Sequence, residues 1–231
     1  MRIAFYGDSL TEGSPGISFF RVLEAMLPEH ELLNLGKGGD TVVSLYRRIA
    51  RHGTHDPVDL AVLWVGVNDV LATVSLSHST LKWLMRQPRA RDLAEFRQYY
   101  HRTLKRLRRS ADSILTVSPL VIGEDPSNRW NRRLADLSRI ASTASAAFDH
   151  VHFLNLRAEL TATWRGHKPS DYIPKSVTRI AWESLFLRSP AGVDRAASRR
   201  GLRLTLDGVH LNSKGAELVA EALREAIETL C

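Results

Sequence analysis

The sequence predicts an α/β protein built on a parallel sheet with helices over both faces. Three observations carry this expectation. Short apolar runs alternate with amphipathic helical stretches along the chain. The middle run, residues 59–65, is too continuous to be a half-exposed strand and fits one buried on both faces. Polar, glycine-bearing clusters follow the first three runs, where a parallel sheet opens its ligand crevice.

Taken in order, Ile3, Ala4, Phe5 and Tyr6 make residues 2–6 the first strand. Apolar residues at helical spacing then predict a helix over 19–27, followed by a second strand over 31–35. A helical stretch follows Asp40, and the third strand is 59–65. Leu93, Phe96, Tyr100, Leu104 and Leu107, spaced by three and four, mark the next helix, and residues 113–117 the fourth strand. Leu134, Leu137, Ala141, Ala144 and Phe148 line another helix before a fifth strand at 151–156. The last helix carries Leu218, Val219, Ala222, Leu223, Ala226, Ile227 and Leu230 on one face. No repeat or low-complexity linker interrupts this pattern, so a single domain over 1–231 is expected. Two stretches, 70–89 and 157–206, are longer than a simple connection and leave from the carboxyl edge of the sheet. They are expected to flank the ligand crevice or to contain helices of their own.

Composition narrows the function classes. The chain has 231 residues, 44% of them hydrophobic, and its one cysteine is Cys231, which excludes an internal disulfide and a thiolate metal cluster. No run approaches the ~20 apolar residues of a membrane helix, and the first strand leaves no room for a signal peptide. A cytoplasmic protein is the expectation, although removal of a leader would leave the same sequence. His52 with His55, and His150 with His152, have metal-like spacing but no accompanying carboxylate or cysteine framework, so neither a metal nor a cofactor is expected. The net charge of +7 is concentrated in two segments. Residues 82–109 hold ten Lys/Arg against two acids, and residues 157–206 hold ten against four. For the first segment a solvated helix face is the simplest reading, and no nucleic-acid partner is expected.

The clusters at the strand ends carry the chemistry. Gly7-Asp8-Ser9-Leu10 follows the first strand, Gly38-Gly39-Asp40-Thr41 the second and Gly66-Val67-Asn68-Asp69 the third, while Asp207-Gly208-Val209-His210 precedes the last helix. A serine hydroxyl becomes a competent nucleophile at neutral pH only beside a base. His210 can be that base, and Asp207, three residues earlier, can orient it. Asp8 suits a turn brace, Asp69 a cap or buried brace, and Asp40 a helix N-cap.

These four blocks, in this order, resemble the SGNH, or GDSL, hydrolase superfamily of esterases and lipases. The resemblance implies a three-layer α/β/α sandwich with a five-stranded parallel sheet, flavodoxin-like in layout. It also implies an esterase with catalytic Ser9, Asp207 and His210, and an oxyanion hole from Ser9, Gly39 and Asn68. The chemistry asks for the same residue types. A tetrahedral intermediate needs donors already aimed at its developing oxyanion, and backbone N–H groups of Ser9 and Gly39 with the Asn68 amide could supply three.

The substrate is expected to be a small acyl ester, an O-acetyl or short-chain ester with a sugar or anionic group. Trp164, Arg165, Tyr172 and Trp182 in the basic, aromatic segment 157–206 are the candidates to bind it. Two readings of that segment are open: a substrate wall, or a satellite core whose arginines face water. Thioesterase, lysophospholipase and acyltransferase activities use the same triad. A different class, a non-catalytic binder of an anionic partner, would make Ser9, Asn68, Asp207 and His210 coincidental.

Overall fold

The computed structural model describes residues 1–54, 57–75, 80, 87–164, 166–170, 172–173, 176, 178, 185–187 and 189–230. Its centre is a five-stranded, all-parallel sheet formed by β1 (Arg2–Gly7), β2 (Glu31–Gly36), β3 (Val58–Trp64), β4 (Ala111–Val117) and β5 (Val151–Leu154), in the order β2-β1-β3-β4-β5. Among the described residues the helices are α1 (Ser9–Glu12), α2 (Phe19–Met26), α3 (Val42–His52), α4 (Val67–Leu71), α5 (Leu93–Leu107), α6 (Arg129–Ser145), α7 (Leu156–Ala162), α8 (Pro190–Arg199) and α9 (Ser213–Leu230). The chain steps one way along the sheet from β1 to β2 and the other way from β3 onward. Right-handed crossovers therefore send the intervening helices to opposite faces. Accordingly α2 packs against α9, while α3, α5 and α6 form a second packed group. This is the expected three-layer sandwich, and its switch point lies between β1 and β3, where the crevice opens at the strands' carboxyl ends.

Burial explains the pattern read from the sequence. Leu60, Ala61, Val62 and Leu63 of β3 are all buried, because helices cover both faces of this central strand. On the α2 face, Phe5, Phe19, Phe20 and Trp64 meet edge-on or tilted, with the Phe19 and Trp64 rings 5.3 Å apart. On the other face Phe96 stacks on Tyr100 at 5.7 Å, one helical turn away.

Two elements differ from expectation. The fifth strand ends at Leu154, because the Asn155 side chain accepts from Ala158 N–H and starts α7, so Leu156 is the first residue of a helix. The segment 157–206 thus contributes most of α7 and all of α8. Asp40 is not the N-cap of α3. Thr41 holds that position in a capping box with Ser44, while Asp40 accepts from Ser44 Oγ and pairs with Arg48 Nε, both at 2.8 Å. Arg48 also donates to Leu35 O, tying α3 to the end of β2. No helix among the described residues is long and apolar enough to cross a membrane.

Candidate active site

Three strand ends and one returning loop converge at the switch point. Ser9 begins α1 directly after β1. The preceding Asp8 accepts from Leu10 N–H through Oδ1 at 3.0 Å, which fixes the sharp turn from strand to helix. The glycine block is drawn in beside it. Asn34 donates to Thr11 O at 2.7 Å, and Gly39 has φ 79°, a left-handed conformation that a side chain would strain. From β3 the chain passes through Gly66, at φ 127°, where a Cβ would lie 2.8 Å from Pro119 Cγ. Gly66 caps α4, whose second residue is Asn68, buried at 4% exposure. Asp69, next along, accepts from Val42 N–H at 3.0 Å and Ala90 N–H at 3.3 Å, and so is a brace between blocks.

The fourth component arrives from the far end of the chain. His210 Nε2 lies 3.0 Å from Ser9 Oγ, and His210 Nδ1 lies 2.8 Å from Asp207 Oδ2. The second carboxylate oxygen of Asp207 accepts from Val209 N–H at 3.0 Å and His210 N–H at 2.8 Å, closing the turn on itself. Burial alone would push the Asp207 carboxyl up. The facing His210 ring and the hydrogen bonds from His210 and Val209 outweigh it and hold the carboxyl below the usual carboxylate range. An ionised Asp207 against Nδ1 requires the N–H on that nitrogen and leaves Nε2 as the acceptor facing Ser9. The turn rests on Gly16, where an added Cβ would lie 2.4 Å from Leu211 O, and Ile17 N–H donates to Leu211 O at 2.9 Å. Ser9, Asp207 and His210 thus form one hydrogen-bonded chain of buried groups.

A second support of this turn was not anticipated. Glu124, in the loop after β4, is 3% exposed and accepts four hydrogen bonds from the strand of residues that leads to Asp207. Arg203 N–H reaches Oε2 at 2.7 Å; Leu204 N–H, Thr205 N–H and Thr205 Oγ reach Oε1 at 2.9, 2.8 and 2.7 Å. The Thr205 hydroxyl, donating to Glu124, accepts in turn from Gly208 N–H at 3.2 Å, and Gly123 N–H donates to Gly208 O at 2.7 Å. The sequence signal for this residue is a lone carboxylate at the end of the apolar run 119–122.

The candidate substrate residues fall differently. Trp164 is buried at 6% exposure within the apolar core, so its ring is not presented on an open wall. It borders a cavity of about 130 Å³ whose lining includes Glu124, His167, Lys168 and Arg203 but none of Ser9, Gly39, Asn68 or His210. Tyr172 is half-buried beneath the Arg200 guanidinium, 5.1 Å from its ring centre. Arg165 and Trp182 lie outside the described residues. Arginines of both basic segments are turned to the protein: Arg157 donates to Asn131 O, Arg200 to Leu206 O and Arg106 to Ala50 O, while Arg108 lies over the Phe148 ring. Among the described residues no group of three or more His, Cys, Asp or Glu side chains is arranged to hold a metal ion.

Comparison with known proteins adds the following. A family model described as GDSL-like Lipase/Acylhydrolase family matches residues 5–218. No curated protein sequence matches the chain. Among solved structures, the acetyl xylan esterase AlAXEase superposes with a TM-score of 0.67 at 22% identity, covering 98% of this chain and 100% of its own. Axe2, an acetylxylan esterase from Geobacillus stearothermophilus, gives 0.68 at 17% identity, with 98% and 93% covered. LAE5, an alpha/beta hydrolase enzyme from the metagenome of Lake Arreo, Spain, gives 0.67 at 17%, with 100% and 96% covered.

Proposed function

Because the chain belongs to the GDSL-like lipase/acylhydrolase family, and so is a serine ester hydrolase, we propose that Ser9, His210 and Asp207 are its catalytic triad and that it removes acetyl groups from carbohydrate. The observation that carries this reading is the continuous hydrogen-bonded chain from Ser9 Oγ through His210 to Asp207.

In the acylation step Ser9 Oγ attacks the ester carbonyl and its proton passes to His210 Nε2. Asp207 stays ionised and stabilises the imidazolium. The carbonyl oxygen, now an anion, is received by the backbone N–H groups of Ser9 and Gly39 and by the Asn68 amide, which stabilise the charge as it develops. Collapse of the intermediate breaks the bond to the alcohol oxygen, which takes the proton back from His210. Water, deprotonated by the same nitrogen, then attacks the acyl group on Ser9 and releases acetate.

The acetyl and sugar parts of the proposal are supported by the two esterases of like fold, both titled for acetylated xylan. Catalytic mutants of Axe2 at a serine, an aspartate and a histidine share this fold. That aspartate lies three positions before that histidine, the spacing of Asp207 and His210 here. Arg157 and Arg200, which donate to backbone carbonyls, act there as structural ties of the segment. The inward-turned arginines also leave little support for a non-catalytic binder of anions.

Wild type should hydrolyse acetylated xylo-oligosaccharides and p-nitrophenyl acetate, and Ser9→Ala should abolish both. An organophosphonate probe should add once, at Ser9, by mass spectrometry. Adduction elsewhere, or full activity in Ser9→Ala, refutes the triad; a preference for long acyl chains refutes the acetyl assignment alone.

A further inference from the structure

The peptide between Gly38 and Gly39 has an anchor that the catalytic reading does not use. A trans peptide is planar, with its C=O and N–H pointing in opposite directions. The carbonyl of Gly38 accepts a 2.8 Å hydrogen bond from Gln87 Nε2. The N–H on the other edge of the same plane is that of Gly39, so this bond turns the Gly39 N–H away from Gln87. Few peptide units need such an anchor more. With glycine on both sides no Cβ resists rotation of the plane, and Gly39 already sits at φ 79°. A flip would aim a carbonyl oxygen, rather than an N–H, into the oxyanion site.

Gln87 itself is held firmly. It is 4% exposed and belongs to the stretch joining α4 to α5. Thr41 Oγ donates to the next residue's carbonyl, Pro88 O, at 2.5 Å, and Ala90 N–H reaches Asp69 Oδ1, whose partner oxygen takes Val42 N–H. The segment is thereby clamped to both the glycine block and the Asn68 block. Because the Gly38 carbonyl can only accept, the amide must present Nε2 to it, and Oε1 is buried with no hydrogen-bond partner among the described residues. A buried acceptor left so is destabilising.

We propose that Gln87 is a positioning residue of the oxyanion hole, locking the Gly38–Gly39 peptide with its N–H toward the site and polarising that N–H through the bond to its carbonyl. The proposal rests on the reading of Gly39 as an oxyanion donor.

The test compares Gln87→Met, which keeps length and loses the donor, with Gln87→Glu, which donates only while its carboxyl is protonated. For Gln87→Met, kcat should fall about 10- to 100-fold, less than the 10²–10³ for outright loss of a donor. KM should stay within about twofold, as expected for an interaction made only in the transition state. Binding of a trifluoromethyl ketone, which forms a tetrahedral adduct with Ser9, should weaken by the factor lost in kcat. For Gln87→Glu, activity relative to wild type should rise as pH falls through the introduced carboxyl's titration. Unchanged kcat in Gln87→Met, a rise in KM alone, or a pH-independent ratio in Gln87→Glu overturns the proposal. Asn68→Ala separates it from the reading beneath. If Asn68→Ala is slow and Gln87→Met is not, only Gln87 is misassigned; if Asn68→Ala is fully active, the oxyanion hole is.

Discussion

Replacing Glu124 should weaken the whole fold through the loop that carries Asp207 and His210. The Glu124 carboxylate accepts four hydrogen bonds of 2.7–2.9 Å, three from backbone N–H groups and one from the Thr205 hydroxyl. Hydrogen bonds to a charged group contribute about 1.5–3 kcal/mol each. Glu124→Gln keeps an acceptor for the three donors on Oε1 but turns an NH₂ toward Arg203 N–H, losing one such bond, so about 2 kcal/mol is expected. For a chain of this size that lowers Tm by roughly 4–8 °C. In Glu124→Ala all four donors lose their acceptor. The adjoining cavity of about 130 Å³ is large enough to admit water, which needs about 30 Å³ per molecule, so the loss should be about 3–5 kcal/mol and not the full sum. Urea denaturation with linear extrapolation measures both. A Glu124→Gln protein that unfolds at the wild-type urea concentration would show that these bonds contribute no net stability, and the reasoning fails.

Two further substitutions probe the site. Asp207 has a depressed carboxyl in the folded protein, so its contribution to stability is fully present above the ordinary value of 3.8 and is lost as pH falls through the folded one. The stability difference between wild type and Asp207→Asn should therefore shrink as pH falls below about 4; a difference independent of pH down to acid unfolding contradicts the assignment. Asn68→Ala removes one oxyanion donor and should cost ~3 kcal/mol of transition-state stabilisation, read as a fall of two to three orders of magnitude in kcat with little change in KM. A loss confined to KM would make Asn68 a substrate contact.

How much of this was legible in the sequence depends on whether a feature is local. β3 was legible because a strand covered on both faces must be apolar throughout, and Leu60, Ala61, Val62 and Leu63 are. The end of β5 was not, because Leu154-Asn155-Leu156 continues an apolar alternation through a residue that acts as a helix cap. Four residues of α1 are too few for helical periodicity to register. Asp40 and Thr41 are both good caps; Thr41 takes the position in a capping box with Ser44, while Asp40 is engaged by Ser44 Oγ and Arg48. At the site, Asp207 and His210 share a turn and could be paired by spacing, whereas Glu124 grips residues about 80 positions away and Gln87 a carbonyl 49 away. Contacts made by a side chain on distant backbone leave no pattern, since any residue supplies a carbonyl or an N–H.

The 201 residues between Ser9 and His210 also set an order of events when the chain is made. At 5–20 residues per second the nucleophile leaves the ribosome roughly 10–40 s before its base. Throughout that interval Ser9 is an ordinary alcohol, unable to attack the esters around it. The Asp207–His210 turn leads into α9, which packs on α2, the helix that follows the serine's own loop. Hydrolysis therefore needs both ends of the chain in place, and its onset during synthesis or refolding reports when Ser9 and His210 meet.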